Sequence, residues 1–248
     1  MEDLITDIIC YLDIQTTYTI SSITKSTNRL IYHCAEINIR THDILIYHDL
    51  AVTVEYCPCL PRFKFLKSLY LDDVSEIHDI SIFLHLEDLI LYYNRSITNI
   101  SSLTNLRRLE LSSNYSILDL NSLSQLEILD LSFNRKITNI SSLINLKELH
   151  LLYDTSGIEI SCLTNLERLY LKNINITTNQ LRYLTNLNYL SLINTSCVNN
   201  ISSLTNLTYL ELGADHDLKD LTMLPKLQTV RNVWSRYIPL VNSTVKII

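Results

Sequence analysis

The stretch "ISSLTNLRRLELSSN" (Ile100–Asn114) carries two spacings in succession: apolar residues at every third position as far as Leu106 and Leu109, then the alternating pair Leu109 and Leu111. Its first seven letters recur unchanged from Ile201 to Leu207, and near-copies, "ISSLINL" from Ile140 and "ISCLTNL" from Ile160, lie between. Self-similarity at a fixed distance marks a chain that stacks one unit on the next. Leu66, Leu86, Leu106, Leu126, Leu146 and Leu166 stand 20 residues apart; one step of 21 leads to Leu187, and steps of 20 then reach Leu207 and Leu227. Nine units are in register.

Each anchor leucine is followed three and five residues later by a further leucine, from Leu69 and Leu71 to Leu210 and Leu212, while the ninth unit has Val230. Three residues beyond the last leucine stands Asn94, Asn114 or Asn134, then Asp154, after which the position drifts to Ile174, Thr195 and Asp215. The wording LxxLxLxxN resembles the leucine-rich-repeat family over about two thirds of the chain. The resemblance implies an α/β solenoid, curved, with a parallel sheet on its concave side and short 3₁₀ segments or turns on its convex side; the apolar spacing of residues 1–34 predicts a small N-terminal helical segment before it.

The physical reading of the residues runs the same way. LxL alternates as a strand with one buried face does. Triplet spacing, as in Ile137, Ile140, Leu143 and Leu146, suits tight turns better than α-helix. The ladder asparagine has a side chain able to bond backbone groups where the strand turns away. With two glycines in the chain, asparagine is also expected at the left-handed turn positions. The 21-residue step contains "TTNQLRYL" (Thr177–Leu184), which predicts one real helical turn. At the strand spacing of about 4.8 Å, nine units make a sheet roughly 40 Å long.

Four segments follow: residues 1–34, a helical segment; 35–61, a transition and N-terminal cap in which "INI" and "ILIY" predict one or two irregular strands; 62–232, the solenoid; and 233–248, a C-terminal cap holding the only tryptophan. Stacked coils need such caps because an open end exposes the next repeat's apolar seat. Within residues 1–34, Leu4, Ile5, Ile8, Ile9 and Leu12 fall at helical spacing. "DLITDIICYLD" (Asp3–Asp13) and "ITKSTNRL" (Ile23–Leu30) resemble the two halves of an F-box. That resemblance implies that Leu4, Ile5, Ile8, Leu12 and Ile23 contact a Skp-family adaptor, and through it a cullin, with the repeats selecting a substrate for an SCF-type ubiquitin ligase. The alternative is a stand-alone binding module whose N-terminal helices only cap the solenoid. The isoleucine- and asparagine-rich wording is of the kind written by AT-rich genomes, as in amoebae and their large DNA viruses.

Enzyme chemistry has no foothold in the sequence. The seven histidines are scattered without H-E-x-x-H spacing, there is no G-x-S-x-G or P-loop, and two glycines scarcely build a phosphate cradle. "CPC" (Cys57–Cys59) is too tight for a zinc knuckle and has no second half, so neither metal nor cofactor is expected. A net charge of -6 and a pI near 5.6 argue against nucleic acid or an anionic membrane as the partner. "MEDLITDIIC" is acidic where a signal peptide is basic, which predicts an intracellular protein, cytoplasmic or nuclear, in the host cytoplasm if viral. Six cysteines then read as reduced thiols, and nine N-x-S/T sequons carry meaning only in a secreted chain.

Binding is what remains. Residues two, four and six after each anchor are expected to face the concave side. They bring Tyr70, Tyr92, Arg108, Glu110, Asp130, His150, Arg168, Tyr170, Tyr189 and Tyr209 onto one surface, with Phe133 and Tyr153 at its rim. Exposed aromatics and arginines are the residue types that anchor protein interfaces, so a protein partner is expected there. Tyrosines on neighbouring coils also stack as ladders that stabilise a sheet, and both uses are open.

Overall fold

The computed structural model describes residues 38–40, 67–71, 78–153, 157–195, 197–213, 218, 220–232 and 240–248. Among the described residues eleven strands follow one another in chain order: β1 (Asn38–Arg40), β2 (Ser68–Tyr70), β3 (Asp88–Ile90), β4 (Arg108–Glu110), β5 (Ile128–Asp130), β6 (Glu148–Leu152), β7 (Arg168–Lys172), β8 (Tyr189–Ile193), β9 (Tyr209–Leu212), β10 (Thr229–Asn232) and β11 (Lys246–Ile247). A helical turn, α1 (Thr178–Leu181), lies between β7 and β8. All strands pair in parallel with their sequence neighbours in one sheet, so the chain is a leucine-rich-repeat solenoid.

Register explains the leucines. Leu89, Leu109, Leu129, Leu149, Leu169, Leu190, Leu210 and Val230 are directly paired from coil to coil. Each is fully buried, as are the anchors Leu86, Leu106, Leu126, Leu146, Leu166, Leu187 and Leu207. Fully burying a leucine contributes about 1.5–3 kcal/mol, and a coil repeats that gain five or six times over 20 residues. The core is therefore one continuous column, to which every coil adds the same layer.

On the convex side, Leu103 N–H donates to Ile100 O and Leu106 N–H to Leu103 O, at 3.0 and 3.1 Å. The same pair recurs at Ile140–Leu146, Ile160–Leu166 and Ile201–Leu207. These consecutive i→i+3 turns are what the triplet spacing predicts. The extra residue of the 21-residue step is absorbed by α1, where Gln180 Oε1 accepts from the N–H of Thr177 at 3.0 Å and Gln180 Nε2 reaches back to Ile158 O at 3.0 Å.

Two asparagine ladders tie the coils together. In the buried one, Asn94, Asn114 and Asn134 each accept two backbone N–H bonds, for Asn114 from Ser116 at 3.0 Å and Ile117 at 3.1 Å. Asn114 Nδ2 donates to Asn94 O and Asn134 Nδ2 to Asn114 O, 20 residues away in each case. The second ladder is exposed: Asn105, Asn145, Asn165, Asn186 and Asn206, each just before its anchor, donate to a carbonyl of the preceding coil at 2.7–2.9 Å. "TNL" therefore repeats for its asparagine as well as for its leucine.

At the ends, β1 falls where "INI" predicts a strand and pairs with β2, while "ILIY" lies outside the described residues. Past β10 the pairing Thr229↔Lys246 shortens the coil, and Val241 and Val245 pack on the core. Residues 1–34, with Leu4, Ile5, Ile8, Leu12 and Ile23, lie outside the described residues, as do Cys57 and Cys59. Among the described residues, no helix is long and apolar enough to cross a membrane.

Candidate functional site

The sheet leaves its outward positions half-exposed, with a buried residue between each two, and these positions carry the expected site. Tyr70 lies in β2. Arg108 and Glu110 share β4 and form an ion pair along the strand, which raises the pKa of Arg108. Asp130 ends β5 and accepts from the N–H of Ser132 at 2.7 Å. Tyr92 is exposed just past β3, its ring set edge-on to Tyr93 with centroids 4.4 Å apart.

Register then assembles the C-terminal half. His150 and Tyr170 are paired and stack at 4.1 Å, and Tyr189 and Tyr209 are paired and stack at 4.9 Å. Tyr170 bridges diagonally to Tyr189 at 4.7 Å, so four rings form one continuous ladder over β6 to β9. Such pairs contribute about 0.5–1.5 kcal/mol each beyond burial. Ser191, which holds the ladder's former position on β8, is buried beneath this crossing and donates to Glu211 Oε2 at 2.9 Å.

Carboxylates clamp the ladder at both ends. Glu148 takes His150 Nε2 on one oxygen at 2.7 Å and Arg168 Nε on the other at 2.5 Å. Burial pushes the Glu148 carboxyl up, but the bonds from His150 and Arg168 outweigh it and hold the group below its ordinary range. Glu211 accepts from Tyr189 Oη at 3.3 Å and pairs with Arg231 at 3.1 Å. Burial, reinforced by the Glu211 charge, pushes the Tyr189 phenol well up, so it stays a neutral donor.

Two expectations need correction. Ser112, Ser132 and Gly213, six residues after their anchors, are buried rather than presented: past the strand end these small residues stay within the turn, whereas the long side chain of Tyr92 at the same position reaches out of it. The left-handed positions, one residue on, are taken by Asn173 and Asn194 as expected, but also by Tyr93, Ser113, Phe133 and Tyr153, with φ between 52° and 61° throughout. A side chain of that size in this region costs roughly 1–2 kcal/mol, which asparagine lowers by bonding locally. Phe133 and Tyr153 stack at 4.5 Å, and Lys172 Nζ lies 5.3 Å from the Tyr153 centroid.

The opposite rim carries features the sequence reading passed over. One residue after successive anchors stand Lys67, Glu87, Arg107, Glu127, Lys147 and Glu167, alternating in sign, with Arg107 and Lys147 both on Glu127 at 2.5 and 2.7 Å. Reading down that single column was signal enough. A shallow groove of about 680 Å³ runs beside it from Gln125 to Lys226. Of its lining, Asn145, Asn165, Asn186, Asn206 and Lys147 are already bonded to neighbouring coils.

No protein-family model matches the chain, and neither does any curated protein. Among solved structures it is similar to an internalin (InlF) of Listeria monocytogenes, at 23% identity and a TM-score of 0.56 over 76% of this chain and 61% of that one. It is similar to the functional domain of InlJ from the same organism, described as including a cysteine ladder, at 23% identity and a TM-score of 0.60 over 82% and 44% of the two chains. A leucine-rich-repeat protein of Leptospira interrogans matches at 19% identity and a TM-score of 0.53 over 77% and 62%. The chain spans between 44% and 62% of these proteins' lengths, and at such identities the likeness is one of fold.

Proposed function

We infer that this chain is a protein-interaction scaffold that binds a protein partner on its concave sheet and performs no chemistry itself. The carrying observation is the His150–Tyr170–Tyr189–Tyr209 ladder, clamped by Glu148 and Glu211 and left half-exposed on the outward side. Rings held in fixed orientation lose little conformational freedom on binding, and aromatic and arginine side chains dominate interface energetics. Among the described residues no group of three or more His, Cys, Asp or Glu is placed to hold a metal ion.

The finer proposal is a substrate-recognition subunit of an SCF-type ubiquitin ligase, and its support is the F-box resemblance of residues 3–30. In that role Leu4, Ile5, Ile8, Leu12 and Ile23 dock a Skp-family adaptor, and the concave face raises the effective concentration of substrate near the ligase. Capture with purified Skp-family adaptor and cullin tests it. The wild type retains the adaptor, and Leu4→Asp combined with Ile8→Asp releases it. If that double variant, still folded by circular dichroism, holds the adaptor as the wild type does, the docking surface is wrong. Capture by neither leaves the stand-alone module, whose partner is then sought through Tyr170→Ala and Tyr189→Ala.

A further inference from the structure

The trailing rim of the sheet, where the strands end, places rings in a backbone conformation that suits them poorly. Tyr93, Phe133 and Tyr153 are left-handed at the same rung where two later coils use Asn173 and Asn194. Tyr93 and Phe133 are 48% and 42% exposed, so the strain is not recovered in the core. Strain that packing does not explain points to a use for the side chain itself.

Charge on the same coils indicates what the rings meet. The outward positions of β3 to β5 hold Asp88, Glu110 and Asp130 against the one guanidinium of Arg108, which pairs with Glu110. The protein already sets a cation against this rim, Lys172 Nζ over the Tyr153 ring. Phe133 gives one face to Tyr153; at the rung before it stands Ser113, which has no ring, so its other face has no aromatic partner among the described residues.

We propose that this rim is the anchor point for an arginine-bearing segment of the partner protein, a guanidinium stacking on the face of Phe133 turned away from Tyr153, between it and Tyr93, while the carboxylates of β4 and β5 draw the segment in. Arginine fits better than lysine because its planar, weakly hydrated head both stacks on a ring and bonds carboxylates. The proposal rests on the scaffold reading and specifies the partner's chemistry.

Hexa-arginine, hexalysine and hexaglutamate peptides, titrated into the full chain by calorimetry at low and high salt, provide the test. Hexa-arginine binds more tightly than hexalysine, weakens as salt rises, and loses roughly tenfold in affinity in Phe133→Asn, while hexaglutamate gives no heat. Because asparagine is the strain-relieving residue at this rung, Tyr93→Asn holds or raises Tm, by up to about 4 °C. The proposal is overturned if Phe133→Asn binds hexa-arginine as the wild type does, if the wild type binds none, or if Tyr93→Asn lowers Tm, which would make the ring structural. None of these outcomes touches capture of a partner through Tyr170 and Tyr189, so the two readings fail separately.

Discussion

Asn114 Nδ2 donates to the backbone carbonyl of Asn94 at 2.6 Å, across 20 residues of sequence and one coil of structure, while Asn114 Oδ1 accepts from two N–H groups of its own turn. One buried side chain thus satisfies three backbone groups that no strand pairing reaches. Removing it leaves them unmet away from water, at about 1–3 kcal/mol per buried group. Asn114→Ala is expected to cost about 2–4 kcal/mol, a fall of roughly 5–10 °C in Tm by calorimetry. Asn105→Ala breaks the same kind of inter-coil bond at an exposed site, where water replaces it, and is expected to cost under about 1 kcal/mol. Equal losses would mean burial is not what gives the inner ladder its weight.

That contrast marks how far the sequence could be read. The 20-residue period placed the leucine column and the sheet register, and the one 21-residue step placed α1, because each depends only on which apolar side chain must meet the core. Alternation was carried one step too far: β4 stops at Glu110, so Ser112 belongs to the turn and is buried. The left-handed rung was assigned by propensity to asparagine, and backbone pairing overrode that at Tyr93, Phe133 and Tyr153. Phe133 N–H bonds Leu152 O at 2.7 Å and Tyr153 N–H bonds Lys172 O at 2.7 Å, so the coil-to-coil ladder fixes φ whatever residue stands there. Of the binding surface, the residues were legible from parity; their stacking was not, because the jog from Tyr170 to Tyr189 depends on where the extra residue of the long repeat is absorbed.

Glu148 should set part of the acid limb of stability. Its folded pKa lies below the ordinary 4.5, so it stabilises the fold above that value and loses the contribution as pH falls through the depressed one. Urea titrations from pH 5.5 downward should therefore show Glu148→Gln losing less stability than the wild type below about pH 4.5, while being the less stable protein at neutral pH. Parallel curves for the two proteins would show that the bonds to His150 and Arg168 do not favour the ionised form.

The ring ladder should behave as coupled pairs. Tyr170 and Tyr189 touch at 4.7 Å, so a double-mutant cycle with Tyr170→Leu and Tyr189→Leu should give a coupling of about 0.5–1.5 kcal/mol in denaturation free energy. The same cycle between Tyr170 and Tyr92, which lie on different parts of the sheet, should give a value near zero. A zero for the stacked pair would show that the rings lie side by side without stabilising one another.

The two described glycines separate two reasons for a glycine. At Gly157, φ is +86° and nothing lies within 4 Å of an added Cβ, so Gly157→Ala meets only backbone strain. At Gly213, an added Cβ would lie 3.0 Å from Asn194 N and 3.0 Å from Ile193 Cα, both backbone atoms of the preceding coil. These cannot rotate aside, and the Gly213 N–H bond to Leu192 O at 2.8 Å holds the coils at that separation. Alanine there must push β9 away from β8, at a cost typical of overpacking, about 1–3 kcal/mol. The reduced freedom of the unfolded chain offsets only about 0.4–1 kcal/mol of this. Gly213→Ala should therefore lower the denaturation midpoint and, by parting two coils, should also speed amide exchange at Leu192 and Leu212; an unchanged midpoint would mean that neighbouring coils yield at this contact more easily than the continuous sheet implies.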